Sequence, residues 1–358
     1  LESQASHTEE IVKIDIRKLS LDELTQWSEA HGEKKFRAKQ IHEWIWVKAA
    51  HNFDAMSNLS LELREKLNAA FVFRPLILDK SQNSLDGTIK SRFKLHDDHM
   101  IESVLIPVEK DNRYTICVST QVGCSLSCKF CATGQMKRMR NLDASEIYDQ
   151  VVIVNQQCLE KYDHRITNVV YMGMGEPLLN YQNTLDSINH ITSEKGLGWS
   201  PRRITVSTAG IAKMITKLAD EEVRFNLALS LHAADDEKRN EIMPINETNT
   251  LSALMESLKY FHSKCKGHIS YEYITFKGFN DSRQDAQNLA KLCKHFPVKV
   301  NIIEYNPVAG VTYEKSDPLQ IDDFAKVLRD QGIMVTVRRS RGKDIDAACG
   351  QLANKNEE

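Results

Sequence analysis

From residue 115 to residue 338 the chain keeps one rhythm, and that rhythm narrows the possible folds more than any other feature. Short runs rich in Val, Ile, Leu and Thr at 115–119, 166–172, 203–207, 224–231, 269–275, 298–303 and 334–338 read as strands. Stretches with helical spacing fill the intervals, at 143–159, 184–192, 251–264, 282–294 and 321–331. A strand that lies parallel to its predecessor needs a crossover, which a helix supplies. The alternation therefore predicts a parallel sheet of right-handed βα units. Six or seven strands fall short of the eight that close a barrel, so the expectation is an α/β fold with a partial, open (β/α)6-type barrel. In parallel barrels the chemistry gathers at the carboxyl ends of the strands.

The first 75 or so residues read as helical, with candidates at 21–31 behind a possible Ser20 cap, at 36–46 and at 60–71. On the second, Phe36, Ile41, Trp44 and Ile45 form an apolar stripe, with Arg37, Lys39 and Lys48 on the polar face. From 76 to 107 the pattern is strand-like, and Leu85-Asp-Gly87 signals a hairpin turn. Four regions result: a small helical accessory domain at 1–75, a β-rich connector with a hairpin extension at 76–114, the barrel at 115–340 and a C-terminal segment at 341–358. The 47 basic and 49 acidic residues nearly cancel, so any polyanionic partner must be met by local clusters. No run is long and apolar enough for a membrane span and no signal peptide is visible. Together with eight cysteines, this points to the reducing cytoplasm.

Three of those cysteines stand at 124, 128 and 131, in a C-x3-C-x2-C run directly after the first barrel strand. Three thiolates within eight residues can wrap one inorganic centre, and thiolates select iron–sulfur clusters and zinc. Structural zinc wants four protein ligands, and no fourth Cys or His lies in the same loop. Three ligands on a four-iron cluster leave one iron open for a small molecule. Radical S-adenosylmethionine enzymes hold the amino and carboxylate groups of that cofactor in this way.

Other motifs end successive strands. Met172-Gly-Met-Gly-Glu-Pro177 offers two glycines for close backbone approach to a ligand and Glu176 as a carboxylate for an ammonium or hydroxyl. Ser207-Thr-Ala-Gly210, Ser230-Leu-His232 and Asn306-Pro307 bring hydroxyl, imidazole and amide groups to the same rim, which favours a polar cofactor pocket. Strand alternation sets Thr115, Cys117 and Ser119 on one face, so Cys117 points into the lumen if Ile116 and Val118 pack outward. Cys349 lies beyond the last strand among small residues, which suits a mobile, reachable thiol. Cys158, Cys265 and Cys293 read as structural.

Gly123-Cys-Ser-Leu-Ser-Cys-Lys-Phe-Cys-Ala-Thr133, Gly173-Met-Gly-Glu-Pro177 and Asp344-Ile-Asp-Ala-Ala-Cys-Gly-Gln-Leu352 together resemble the RlmN/Cfr family of radical S-adenosylmethionine RNA methyltransferases. The resemblance extends over most of the chain, including Phe36-Arg-Ala-Lys-Gln40, and is closest to the adenosine-C2 branch. It implies a 4Fe-4S cluster on Cys124, Cys128 and Cys131, and two S-adenosylmethionine molecules per turnover. Cys349 would take a methyl group by nucleophilic displacement, and a radical route would carry it to adenine. Cys117 would then resolve the protein–RNA crosslink, leaving a disulfide with Cys349. Glu102 would be the proton acceptor. Cofactor contacts would fall to Gly175, Glu176, Ser207, Ser230, Leu231, His232 and Asn306. The implied substrates are an adenosine in the peptidyl transferase region of 23S rRNA and the adenosine 3′ of the anticodon in tRNAs. A flavodoxin-like electron donor, a disulfide reductant, no membrane and a monomeric state complete the expectation.

Lys129, Lys137, Arg138 and Arg140 flank the cysteine loop, and Arg338, Arg339, Arg341 and Lys343 precede Cys349, so both clusters are candidates for RNA phosphates. The N-terminal helices could grip RNA by shape, and the target base must be unstacked to be reached. Two rivals remain at this stage: methylation at C8 of adenosine, and a non-catalytic iron–sulfur or zinc protein that binds RNA.

Overall fold

The computed structural model describes residues 13–355, so the ends of the 1–75 and 341–358 regions lie outside the described residues. The chain divides into two compact units, one running to Pro75 and including Ser193–Gly198, the other comprising the rest.

In the first unit β1 (Ile14–Asp15) is followed by α1 (Leu21–Ala30), α2 (Lys35–Trp46), α3 (Leu61–Ala70) and β2 (Phe71–Val72), and the two short strands pair in parallel. Ser20 caps α1 in a reciprocal box with Glu23, and Ser60 caps α3 through Leu63 N–H. Each such cap contributes about 1 kcal/mol. The buried face of α2 is Ala38, Ile41 and Ile45, at helical spacing, with Trp46 beside them. Phe36 is exposed and Arg37 stacks on its ring, so it does not belong to the stripe read from the sequence. The reason is geometric: at 100° per residue Phe36 lies well off the face that Ile41 and Ile45 share.

The second unit begins with β3 (Ile77–Asn83), β4 (Ile89–Lys94), β5 (Met100–Val108) and β6 (Arg113–Cys117), paired antiparallel in sequence order. The Leu85-Asp-Gly87 turn joins β3 to β4, and the extension is a three-stranded meander rather than a single hairpin. Next come β7 (Gln121–Val122), β8 (Arg140–Asn141), α4 (Ala144–Tyr162), β9 (Asn168–Tyr171), α5 (Tyr181–Thr192), β10 (Ile204–Thr208), α6 (Ala212–Asp220) and β11 (Asn226–Ser230). The remainder is α7 (Asp236–Ile242), α8 (Leu251–Lys264), β12 (Ile269–Thr275), α9 (Arg283–Leu292), β13 (Lys299–Glu304), α10 (Pro318–Arg329) and β14 (Met334–Arg338).

One ten-stranded sheet results, ordered β14-β13-β12-β11-β10-β9-β6-β5-β4-β3. The seven strands from β6 to β14 run parallel, as the strand–helix rhythm predicts. Their order is linear, with β14 at one edge and β3 at the other, so the barrel is open. Aliphatic and aromatic side chains such as Val169, Val206, Leu227, Tyr271, Tyr273 and Val300 fill the unit's interior. Among the described residues no helix is long and apolar enough to cross a membrane.

Candidate active site

The cysteine loop leaves β6 through a short antiparallel pair, in which Gln121 opposes Asn141 and Val122 opposes Arg140. That pair fixes the loop's base, and nothing in the strand–helix rhythm announced it. Inside the loop Cys131 N–H donates to Cys128 O (3.2 Å), and Lys129 N–H donates to Ile242 O at the end of α7 (3.0 Å). A methyl group on Gly134 would lie 2.8 Å from Cys128 O, so only glycine lets the chain pass this close to the thiol-bearing turn. Phe130 packs edge-on against His232, with ring centroids 4.8 Å apart.

Cys124, Cys128 and Cys131 line one cavity of about 150 Å³ with Gly175, Glu176, Ser207, Ser230, His232, Glu272 and Cys349. Glu176 is buried at the end of β9, its Oε1 accepting from Leu178 N–H (2.9 Å) and its Oε2 from Ala209 N–H (2.8 Å). Burial raises its pKa against those backbone donors. The glycines of this turn serve the protein's own packing. A methyl on Gly173 would sit 2.7 Å from Ser119 Oγ, and Gly175, at φ +98°, presses against Gln121. Ser207 and Ser230 face each other across neighbouring strands, Oγ to Oγ 3.3 Å.

His232 adopts φ +55°, a left-handed conformation that a side chain tolerates only under constraint. The constraint is visible: Nδ1 accepts from Ile274 N–H (3.1 Å) and the carbonyl accepts from Asn280 Nδ2 (2.6 Å). Burial, helped by nearby Arg239, holds its pKa down at about 3, so the ring is neutral with its proton on Nε2. Arg239 is itself fully buried on α7. It donates to Leu231 O (3.0 Å), Ser230 O (3.2 Å) and Ala209 O (2.5 Å), which ties the ends of β10 and β11 together. Leu231 and Asn306 line neither of the two cavities. Leu231 is core, its N–H bonded to Glu272 O (3.0 Å), and Asn306 Nδ2 contacts Glu304 O (3.3 Å) and Cys349 O (3.5 Å).

A second cavity of about 400 Å³ is lined by Cys117, Cys131, Thr133, Arg338, Cys349 and Gly350, several of which also border the first. Cys117 and Cys349, 232 residues apart in sequence, thus line one cavity with a thiol of the cysteine loop. Both are free thiols; Cys117 is buried and Cys349 exposed. Desolvation pushes Cys117 up to about 12, reinforced by Cys349, and Arg338 opposes the shift. Arg338 in turn donates to Glu272 Oε2 (3.3 Å), and Glu272 Oε1 accepts from Asn301 (2.7 Å) and Ser270 (2.9 Å). Sequence reasoning missed Glu272; an acid set between Tyr271 and Tyr273 in a strand-like run was its only signal.

Glu102 lines neither cavity. It is buried, with Lys90 Nζ 3.7 Å from Oε1, while Oε2 accepts from Ala353 N–H (3.0 Å) and Asn354 N–H (3.2 Å). The basic residues also divide. Lys129, Lys137 and Arg138 are exposed, whereas Arg140 is bound to Asp97 and to Glu146 (2.7 Å). Arg338 turns inward to Glu272, Arg339 and Lys343 hold Glu304 (2.6 and 3.0 Å), and Arg341 donates to Asp86 O (3.3 Å). Lys110 and Arg113, on the β5–β6 turn, border the larger cavity and were not anticipated.

The donor set fits a multi-iron cluster better than a single ion. Among the described residues no group of three His, Cys, Asp or Glu side chains forms a single-ion site. A four-iron cluster binds its thiolates through different irons, so it does not need them to meet at one point. The nearby imidazole, with Nδ1 occupied and Nε2 protonated, has no lone pair to complete a four-ligand zinc site. Desolvation raises all three thiols, Cys124 to about 11, so they stay protonated until a bound cation offsets the cost of the thiolate charge.

Comparison with known proteins agrees with this geometry. The family model for the ribosomal RNA large subunit methyltransferase N-terminal domain matches residues 14–72, and that for the radical SAM superfamily matches residues 118–293. A protein of Cytophaga hutchinsonii described as a probable dual-specificity RNA methyltransferase RlmN is 54% identical over 99% of this chain and 96% of its own. One of Christiangramia forsetii with the same description is 52% identical over 96% and 97%. The crystal structure of a radical SAM methyltransferase from Sphaerobacter thermophilus superposes with a TM-score of 0.88 at 38% identity, covering 95% of this chain and 99% of that one. The cysteine loop, the open barrel beneath it and the helical unit ahead of it are therefore those of a radical SAM methyltransferase, and the chain belongs to the RlmN family.

Proposed function

We propose that this protein methylates C2 of an adenosine in 23S rRNA and of the adenosine 3′ of the anticodon in tRNAs, through a methyl group carried on Cys349. The observation that carries the reading is that Cys117, Cys349 and Cys131 all line one cavity large enough for a nucleobase. Adenine C2 is an electrophilic amidine carbon, so it cannot attack the electrophilic methyl of S-adenosylmethionine directly. A thiol relay and a radical step remove that mismatch.

Cys124, Cys128 and Cys131 would hold a 4Fe-4S cluster, and Glu176, Ser207, Ser230 and His232 border the space where S-adenosylmethionine would lie. When bound, the cluster supplies the electron that cleaves S-adenosylmethionine to a 5′-deoxyadenosyl radical. Cys349 Sγ, as thiolate, attacks the methyl carbon of one S-adenosylmethionine and displaces S-adenosylhomocysteine. That S-methyl group would give up a hydrogen atom to the 5′-deoxyadenosyl radical, releasing 5′-deoxyadenosine, and its carbon would bond to C2; the adduct would then return one electron to the oxidised cluster and lose the C2 proton. Cys117 Sγ, as thiolate, then attacks Cys349 Sγ; the S–C bond breaks, the freed carbon takes a proton to become the new methyl group, methyladenosine leaves and a disulfide forms. An external thiol reductant reopens it. Arg338, between the two cysteines and Glu272, favours the thiolate at each stage. Glu102, which the resemblance makes the acceptor of the C2 proton, lines neither cavity and has Oε2 engaged by Ala353 and Asn354 N–H, so that role would require the C-terminal stretch to release it. Exposed Lys129, Lys137 and Arg138, with Lys110 and Arg113, would meet phosphates.

The test is an isomer-resolved digest. RNA treated with cluster-loaded enzyme, S-adenosylmethionine and reductant is hydrolysed, and its methyladenosines are identified by mass spectrometry. C2-methyladenosine is the expected product; C8-methyladenosine alone would replace the C2 assignment, and no methyladenosine would favour a binding protein.

A further inference from the structure

The stretch that carries Cys349 crosses the opening of the barrel. It leaves β14, at one edge of the ten-stranded sheet, is tied to the end of β13 by Arg339 and Lys343 on Glu304, and then bonds to the β3–β4 turn and β5 towards the other edge. Two fastenings hold it on that side. Upstream, Asp86 Oδ2 accepts from Gly342 N–H (2.9 Å), while Asp344 accepts from Ser84 Oγ (2.5 Å) and Leu85 N–H (3.1 Å). Downstream, Glu102 Oε2 accepts from Ala353 and Asn354 N–H, and Asn354 Nδ2 donates to Met100 O (2.7 Å).

Between them, Gly350 O accepts from Ala132 N–H (2.7 Å) and Leu352 O accepts from Thr133 Oγ1 (2.6 Å), so the stretch also touches the cysteine loop. Left-handed residues at Gly342, Asp346 and Gly350 shape the turn that presents the thiol. The small residues around Cys349 therefore do not leave it on a loose tail.

Cys349 must meet three partners in turn: a methyl donor, an adenine and Cys117. A thiol on an untethered tail would spread over many positions, and each encounter would lose effective concentration. Fastening both ends limits the travel of Sγ. The charge at Glu102 suits this use. Lys90 stands on the Oε1 side and balances the buried carboxylate, which leaves Oε2 for the two tail amides.

We propose that strands β3–β5 form a frame that positions Cys349, with Asp344 and Glu102 as the positioning residues at its two ends. The proposal rests on Cys349 being the methyl-carrying thiol. The test uses full-length, cluster-loaded protein. Hydrogen exchange of the peptides covering 342–355 reads the fastenings, and mass spectrometry of the same region after incubation with S-adenosylmethionine reads the rate of Cys349 methylation. Asp344→Ala and Glu102→Ala are each expected to speed exchange at least about fivefold, the loss of roughly one net hydrogen bond. Both are expected to slow Cys349 methylation several-fold with RNA affinity unchanged.

Glu102→Gln keeps an oxygen acceptor and is expected to restore protection and Cys349 methylation, even where it lacks a base for the adenine proton. Wild-type exchange and methylation in both alanine variants would overturn the frame. So would a Glu102→Gln protein as unprotected as Glu102→Ala. A wild-type protein that never methylates Cys349 would instead overturn the methyl-carrying role, and with it the purpose of the frame, even if exchange rose in the variants.

Discussion

A single methyl group separates Gly134 from alanine, and the turn has no room for it. The added carbon would lie 2.8 Å from Cys128 O and 3.0 Å from Cys128 N, both backbone atoms of a thiol-bearing residue. Relief must come from moving that residue, at a cost of about 1–3 kcal/mol. Gly134→Ala is thus expected to fold, with native far-ultraviolet dichroism, but to hold less iron per chain after reconstitution. Full iron loading would show that the turn does not set the thiol positions. The outlying thiols make a sharper pair. Cys349→Ala is expected to acquire no methyl group, whereas Cys117→Ala is expected to accumulate protein covalently joined to RNA on a denaturing gel. Normal turnover by Cys117→Ala without such a band would remove it from the relay. The thiols of the cysteine loop were legible because their chemistry depends on spacing within one short segment. Cys117 was legible from strand alternation. Glu272 was not, because its meaning lies in Arg338 and Asn301, brought to it by two other strands.

At the scale of elements, the seven parallel strands follow from the alternation of short apolar runs and helical stretches, and their carboxyl ends carry the rim motifs. What aligns those ends was not visible. Residues 235–241 are almost all charged, yet Arg239 within them is fully buried. Its guanidinium reaches carbonyls at the ends of both β10 and β11 and also donates to Asn246 Oδ1 (2.6 Å). A planar fork can hold several acceptors in fixed directions; an ammonium cannot. Arg239→Lys is accordingly expected to leave at least two buried carbonyls without a donor, costing about 2–4 kcal/mol in a denaturant titration. Because Ser207 and Ser230 sit on the strands it ties, S-adenosylmethionine affinity is expected to fall in the same variant. Unchanged stability and affinity would mean that the strand ends hold their register unaided. Pattern reading failed more simply at α2, where Phe36 was assigned to a buried stripe that the helical period does not let it join.

At the scale of the molecule, the sequence showed a barrel short of closure but gave no sign of what spans the opening, because the bonds that do so join residues some 250–260 positions apart. Carboxylates anchor that crossing near both sheet edges, and their ionisation makes the arrangement sensitive to acid. Burial would raise Asp86, but hydrogen bonds from Thr88, Gly342 and Ser84 outweigh it and hold its pKa at about 2, against an ordinary 3.8. Burial would likewise raise Glu304 at the end of β13, yet Arg339, Lys343 and Lys315 hold it at about 2, against 4.5. Both pKa values are lower in the folded chain, so the unfolded chain binds more protons between about pH 4.5 and 2. The stabilisation is therefore complete above the ordinary values and is lost as the pH falls through about 2. Thermal melts of the wild type and of the Asp86→Asn/Glu304→Gln double variant across that range test this. The wild type is expected to melt higher at pH 6, with the gap narrowing as pH drops and closing near pH 2. A gap of constant size would mean that the two side chains stabilise the fold by shape and packing alone, and that the crossing is held without help from their charge.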